Sequence, residues 1–323
     1  MRFILTLCAA IGVVAGAADP VLAQAYPTKP IKMMVPAGAG GPTDVLARLI
    51  GDRMTAALGQ PVVIDNRPGA GGAIAAKAVA GADPDGYTLL FGNTATFANI
   101  PAVSKSAGYD PTRNFAAVAK VMDSYQILVV NPELPVKTVA NLTAYAKANP
   151  NKLNYGAAGP ANLTNLAGEL YKLKAGLSFV AVHFKSGAES LTCVLGGQCQ
   201  FTIDNVTAVR ALLADNKLRP LAVTSKARQE DYPDLPTMIE AGVPDYVVTS
   251  FFGVVAPAGT PAPIVARLNA VINDALKSEA VQSSMARLGA APTIETPEAF
   301  GTFIAAEMRK WTEIAKAAGI SVD

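Results

Sequence analysis

Ile31-Lys-Met-Met-Val35, then Pro36-Ala-Gly-Ala-Gly-Gly-Pro42, then Thr43-Asp-Val-Leu-Ala-Arg-Leu-Ile50 is the stretch that decides the fold. A short β-rich run ends in a glycine loop, after which Val45, Leu46, Leu49, Ile50, Met54, Ala57 and Leu58 recur at helical spacing until Gly59. Strand, glycine turn and helix together make the unit of a parallel α/β layer. The unit recurs outward along the chain. A strand over 62–64 turns through Arg67-Pro-Gly-Ala-Gly-Gly72 into a small-residue helix, and a strand over 88–91 ends in Gly92-Asn-Thr-Ala-Thr96. A second series starts near Ser124, with strands expected over 126–130, 153–155, 179–182, 199–203 and 218–223 and helices over 138–148 and after Gly156-Ala-Ala-Gly-Pro160. Beyond Phe251-Phe-Gly-Val-Val255 the pattern predicts helices only, over 261–277, 279–288 and 297–317, packing back onto the first series. The chain would then cross between two lobes near 123–126 and 247–252. Lobe 1 is expected to hold 26–123 plus 252–323, and lobe 2 to hold 124–251.

Length agrees with two lobes, because about three hundred residues exceed the usual single core. The N-terminus reads as an export signal over 1–25: Arg2, an apolar run over 3–18, and the small-residue pattern Ala23-Gln-Ala25 before Tyr26. Cys8 lies too early for lipid attachment and lacks the small residue expected before it. The expected location is therefore the periplasm of a Gram-negative cell. Hydrophobic residues make up 51% and charged ones 16%, with a formal net charge of +2. That balance offers no basic patch for nucleic acid. Of three cysteines only Cys193 and Cys199 survive processing, and in an oxidising compartment they either bridge or remain buried thiols. His183 is the only histidine, which excludes zinc sites built on several histidines. No nucleotide loop, dinucleotide fingerprint or nucleophile elbow occurs, so no cofactor, metal or catalytic residue is expected.

Two loops carry the expected chemistry, one in each half. Gly40-Gly-Pro42 and Gly159-Pro-Ala-Asn162 both join a strand end to a helix start, where unpaired amides and the helix dipole attract anions. Facing each other across a cleft, they would clamp a carboxylate without any arginine. Each loop is equally readable as a plain turn. Asp44 either complements the helix dipole or meets the ligand. Asp204 either accepts from a ligand hydroxyl, amine or protonated acid, or caps the helix that follows. Phe251 and Phe252 either wall the cleft or fill the core, and His183 reads as a structural or rim residue.

The chain resembles the substrate-binding receptors of tripartite tricarboxylate transporters, the Bug receptors. The resemblance runs over the whole mature length: Tyr26-Pro-Thr-Lys-Pro-Ile31, Pro36 through Asp44, Leu58-Gly-Gln-Pro-Val-Val63, Asn66-Arg-Pro-Gly-Ala-Gly-Gly72, Pro84-Asp-Gly-Tyr-Thr-Leu-Leu90, Asn154-Tyr-Gly156, Leu221-Ala-Val-Thr-Ser225 and Ala256-Pro-Ala-Gly-Thr-Pro261. It implies a two-lobed type II periplasmic-binding fold that closes on a carboxylate held largely by backbone groups, and a receptor rather than an enzyme. By position it places Ala39, Gly40, Gly41, Thr43, Asp44, Thr94 and Thr96 on the first lobe's side of the ligand. Ala158, Gly159, Ala161, Asn162, Asn165, Lys185 and Asp204 fall on the second lobe's side, with Phe251 at the crossover. The expected partners are a small carboxylate and either transporter subunits or a membrane sensor kinase, and the receptor is expected to be a monomer. Ala157 and Ala158 stand where the family usually has hydroxyl residues, Asn165 where it has histidine and Phe251 where it has tryptophan. A more apolar wall favours a ligand with an apolar or aromatic body over a hydroxylated one such as citrate.

Overall fold

The computed structural model describes residues 26–287 and 289–322, so the export-signal reading of 1–25 lies outside the described residues. The first half runs β1 (Ile31–Val35), α1 (Pro42–Leu58), β2 (Val62–Asn66), α2 (Ala73–Ala80), β3 (Thr88–Asn93), α3 (Ile100–Val103) and α4 (Pro111–Asn114). Then follow β4 (Phe115–Val130), α5 (Val139–Ala148), β5 (Asn154–Ala157), α6 (Leu163–Ala175), β6 (Val180–His183), α7 (Gly187–Leu195), β7 (Phe201–Asn205), α8 (Val206–Ala214) and β8 (Arg219–Val223). The chain closes with β9 (Thr249–Pro257), α9 (Ala262–Leu276), α10 (Glu279–Arg287), β10 (Ala290–Pro292) and α11 (Pro297–Ala318).

Among the described residues the strands join in the order β2-β1-β3-β9-β4-β7-β5-β6, with β8 and β10 also paired to β4. The parallel pairs β1–β2, β1–β3, β5–β6 and β5–β7 are joined through helices, as parallel connections require. β4 links the two halves. Its residues Phe115–Tyr125 pair with β9, and Gln126–Val130 pair with β7 and β8. The sequence reading found only the second part of this strand, because Ala116, Ala117 and Lys120 interrupt the apolar run there. A second correction concerns the C-terminal tail, which is not helical throughout. β10 adds antiparallel to β4, with Ala290 opposite Ser124.

Burial follows the predicted periodicity. In α1, Leu46, Ala47, Ile50, Met54 and Leu58 are buried against β1, β3 and α9, whereas Val45 faces outward at 43% exposure. α11 contributes to two cores. Phe300 and Ile304 pack with Phe97 and Phe251, while Trp311, Ile314 and Ala315 pack with Leu166, Leu170 and Phe201 of the second half. The sequence reading assigned this helix to the first series alone. Cys193 in α7 is disulfide-bonded to Cys199 just before β7, with Cα atoms 5.2 Å apart.

Candidate functional site

The end of β3 and the start of α6 face one another across a cavity of about 540 Å³, within the usual range for small-molecule sites. Asn93, Thr94, Ala95, Asn99 and Ile100 line it from the first half, joined by Gly71. Ala158 through Leu163 line it from the second half. Ser250, Phe251 and Phe252 of β9 form the floor, and Val322 closes one edge. No charged side chain lines the cavity among the described residues.

Each wall is held from behind. On the second-half side Thr164 Oγ1 accepts from the Ala158 amide at 2.8 Å, and Asn162 Oδ1 caps α6 by accepting from the Thr164 amide at 3.0 Å. Asn165 is buried, and its Nδ2 donates to Pro160 O at 2.9 Å while its Oδ1 meets His183 Nε2 at 3.0 Å. Asn165 and His183 therefore brace the loop without lining the cavity. Gly159 holds φ +87°, a left-handed conformation that an L side chain adopts only with strain. The amides of Gly159, Ala161 and Leu163 find no acceptor among the described residues. Three free N–H groups at the N-terminus of a 13-residue helix make a neutral anion cradle.

On the first-half side Thr94 Oγ1 accepts from the Phe251 amide at 2.7 Å and donates to Phe251 O at 3.3 Å, tying the end of β3 to β9. Thr96 is fully buried, and Asn93 Oδ1 accepts from both its amide and its hydroxyl at 3.2 Å. Residues Ala95–Asn99 form one π-helical turn, in which the Ile100 amide donates to Ala95 O. Such turns frequently occur at functional sites. A Cβ on Gly71 would lie 2.5 Å from Ile100 Cδ1, so this glycine lets the 69–72 loop close against the turn. Asn99 is 2% exposed, and its buried Oδ1 has no hydrogen-bond donor among the described residues. An unmade hydrogen bond of this kind costs about 1–3 kcal/mol.

The remaining expected residues sit elsewhere. Ala39, Gly40, Gly41, Thr43, Asp44, Thr96, Asn165, Lys185 and Asp204 do not line this cavity. Asp44 is committed internally: its Oδ2 accepts from the Gly40 amide at 2.8 Å and from Arg48 Nε at 3.0 Å, and its Oδ1 accepts from Asn66 Nδ2 at 2.9 Å. The Arg48 guanidinium, helped by the Gly40 amide and Asn66, holds its carboxyl down at about 2. Lys185 is exposed, and its amide donates to Glu189 Oε2. Asp204 does not cap α8; Asn205 does, accepting from the Thr207 amide. Asp204 Oδ1 accepts from the Asn205 amide at 2.7 Å, whereas its Oδ2 is buried without a donor beside Gly187. Burial pushes its pKa up to about 6. Phe251 both walls the cavity and fills the core, stacking on Phe97 and meeting Phe303 edge-on at 4.8 Å. Of the two alanines expected to make the wall apolar, only Ala158 lines it, because Ala157 is buried in the core. Sequence reading missed Gly71, Asn93, Asn99, Ile100, Ser250 and Val322. The glycine run at 69–72 was a usable signal for the first, whereas Val322 is placed only by the path of α11.

The family profile described as "Tripartite tricarboxylate transporter family receptor" matches residues 46–320. Protein BugT of Bordetella pertussis is 37% identical, with 97% of each chain covered. Among solved structures, Rpa4515 of R. palustris with adipate is 39% identical over 92% of this chain and 99% of the other, at a TM-score of 0.75. A TctC solute-binding protein from Polaromonas, solved with no ligand, is 26% identical over 90% and 99% of the two chains, at a TM-score of 0.82. Periplasmic solute-binding proteins thus share the fold. Profile, curated relative and solved structures agree: this chain belongs to the tripartite tricarboxylate transporter family of receptors, whose members bind substrates and are not enzymes.

Proposed function

We propose that this protein works in the periplasm, where it captures a small carboxylate in the cavity between two lobes and delivers it to a tripartite tricarboxylate-type membrane transporter. The observation that carries this reading is the set of Gly159, Ala161 and Leu163 amides, unpartnered among the described residues, beside a cavity that no charged side chain of those residues lines. A carboxylate docked there gains charge-assisted hydrogen bonds at about 1.5–3 kcal/mol each. A few of them reach the roughly 8 kcal/mol of micromolar affinity. Dicarboxylates and aromatic carboxylates are the two candidate classes. The flanking Ile100, Leu163, Phe251 and Phe252 favour the aromatic class.

The lobes are 26–123 with 252–323, and 124–251, hinged on β4 and β9. The chain superposes better on the ligand-free Polaromonas relative than on the more similar adipate-bound one. We read this as the open state, in which the 39–44 loop and Asp204 stand back from the cavity until closure. Uptake of a radiolabelled acid identified from the protein tests delivery. Cells lacking the receptor gene should lose uptake and regain it on complementation. Unchanged uptake alongside lost transcriptional induction would replace transport with presentation to a sensor kinase.

A further inference from the structure

We infer that Gly289 and the start of α8 form a latch behind the ligand cavity, a contact between the lobes that holds the receptor open and has to part before a ligand is enclosed; this rests on the closing-receptor reading above. Gly289 lies in the first lobe between α10 and β10, with φ +58°. A Cβ there would sit 2.5 Å from Val206 Cγ1 and 3.5 Å from Thr207 Cγ2, so the bare backbone is seated on the first turn of α8 in the second lobe. Val206 is fully buried, which makes the contact dry. A chain of hydrogen bonds crosses the same joint. Asn205 Nδ2 donates to Ser124 Oγ at 3.1 Å, and the buried Ser124 Oγ donates to Gly289 O at 3.2 Å.

The position of this joint gives it a direction. β9 and β10 both pair with Asp123 and Ser124, so they occupy opposite edges of β4. The ligand cavity draws on β9 and on the end of β3 beyond it, and on no residue of β4 or β10. A second cavity of about 620 Å³ is lined instead by Ser124, Tyr125, Arg210, Gly289 and Ala290, and the two share no lining residue. Thr249 lines the second cavity and its neighbour Ser250 the first, as alternation along a strand requires. Both cavities take walls from each lobe, and the crossing strands run between them. Turning one lobe on the other about β4 and β9 to narrow the first cavity therefore widens the second. That motion draws Gly289 off Val206 and breaks the chain through Ser124. A contact made only in the open state works against the ligand, because apparent affinity scales with the fraction of protein in the closed form. Weakening the latch, far from the ligand, tightens binding.

The test titrates mature protein, stripped of bound ligand by unfolding and refolding, with adipate, citrate and benzoate in a calorimeter. Ser124→Ala, which removes the hydroxyl joining the lobes, should bind every acid that wild type binds about fivefold more tightly. Gly289→Ala, whose methyl cannot fit against Val206, should gain at least as much. Neither residue lines the ligand cavity, so the order of preference among the acids should not change. Small-angle scattering should show wild type contracting on saturation. If Gly289→Ala does not fold, Ser124→Ala decides the matter alone. Unchanged or weaker binding by folded Ser124→Ala, with wild type contracting, overturns the latch and leaves the receptor reading intact. Binding to wild type without contraction overturns the latch together with lobe closure. Failure of all three acids to bind stripped wild type overturns the carboxylate-receptor reading itself.

Discussion

Replacing Asp204 by asparagine should change the pH dependence of stability in a way that can be worked out from the structure. Asp204 is 6% exposed, with one oxygen taken by the Asn205 amide and the other buried without a donor. Desolvation raises its pKa from 3.8 to about 6. The sign follows from linkage. Between these two values the folded state binds more protons at this position than the unfolded state, so stability falls as pH rises through the interval and is level above it. The full interval corresponds to at most about 3 kcal/mol. For a chain of roughly 300 residues, with unfolding entropy near 2.1 cal/mol/K per residue, this is a change of about 5 °C in Tm. Asparagine cannot ionise and so lacks this slope, whatever constant offset its amide introduces. The assay is a thermal melt of wild type and Asp204→Asn at half-unit steps from pH 4 to 8. The difference in Tm should shift in the variant's favour as pH rises, with most of the change complete by pH 6–7. Parallel profiles would refute the account of Asp204 as a desolvated, unpaired carboxylate.

Three further outcomes follow from other parts of the molecule. Asp44→Ala removes the acceptor shared by Gly40, Arg48 and Asn66 and should cost about 3 kcal/mol in urea denaturation, with the wild-type contribution fading only as pH falls from about 4 towards 2. Gly159→Ala forces a side chain into a left-handed conformation; it should lower stability by about 1 kcal/mol and weaken carboxylate binding at least tenfold by displacing the loop amides, as read by calorimetry. Cys193→Ser with Cys199→Ser opens a short loop closed over a separation of 6 residues, and should cost about 2 kcal/mol in denaturant unfolding while leaving ligand affinity unchanged.

Much of this architecture was legible because it is local. Ile31–Val35, the 36–42 loop and the helix to Leu58 declare themselves by apolar spacing and by Gly59, and the structure follows them closely. What sequence could not show was set by distant pairing. The first part of β4 has a mixed sequence and is a strand because β9 and β10 bind it from both sides. α11 reads as one amphipathic helix, and only the packed structure tells that Phe300 and Trp311 serve different cores. At the site, the glycine loop at 157–162 could be found from its turn residues. Asn99, in contrast, looks like any polar residue in a short helix until the structure buries its carboxamide oxygen at the end of the π-helical turn.

The central claim is that the α6 N-terminus and the cavity it faces hold a carboxylate without a charged side chain. The most direct measurement is a thermal-shift comparison of ligand-stripped protein with benzoate and adipate against their neutral counterparts benzyl alcohol and adipamide. At one hundred times its Kd a ligand specific for the folded state adds about 2.7 kcal/mol. The account predicts a saturable rise of about 4 °C with at least one of the acids, none with either neutral analogue, and loss of that rise in Gly159→Ala. Equal rises with acid and neutral analogue, or an undiminished rise in Gly159→Ala, would contradict it.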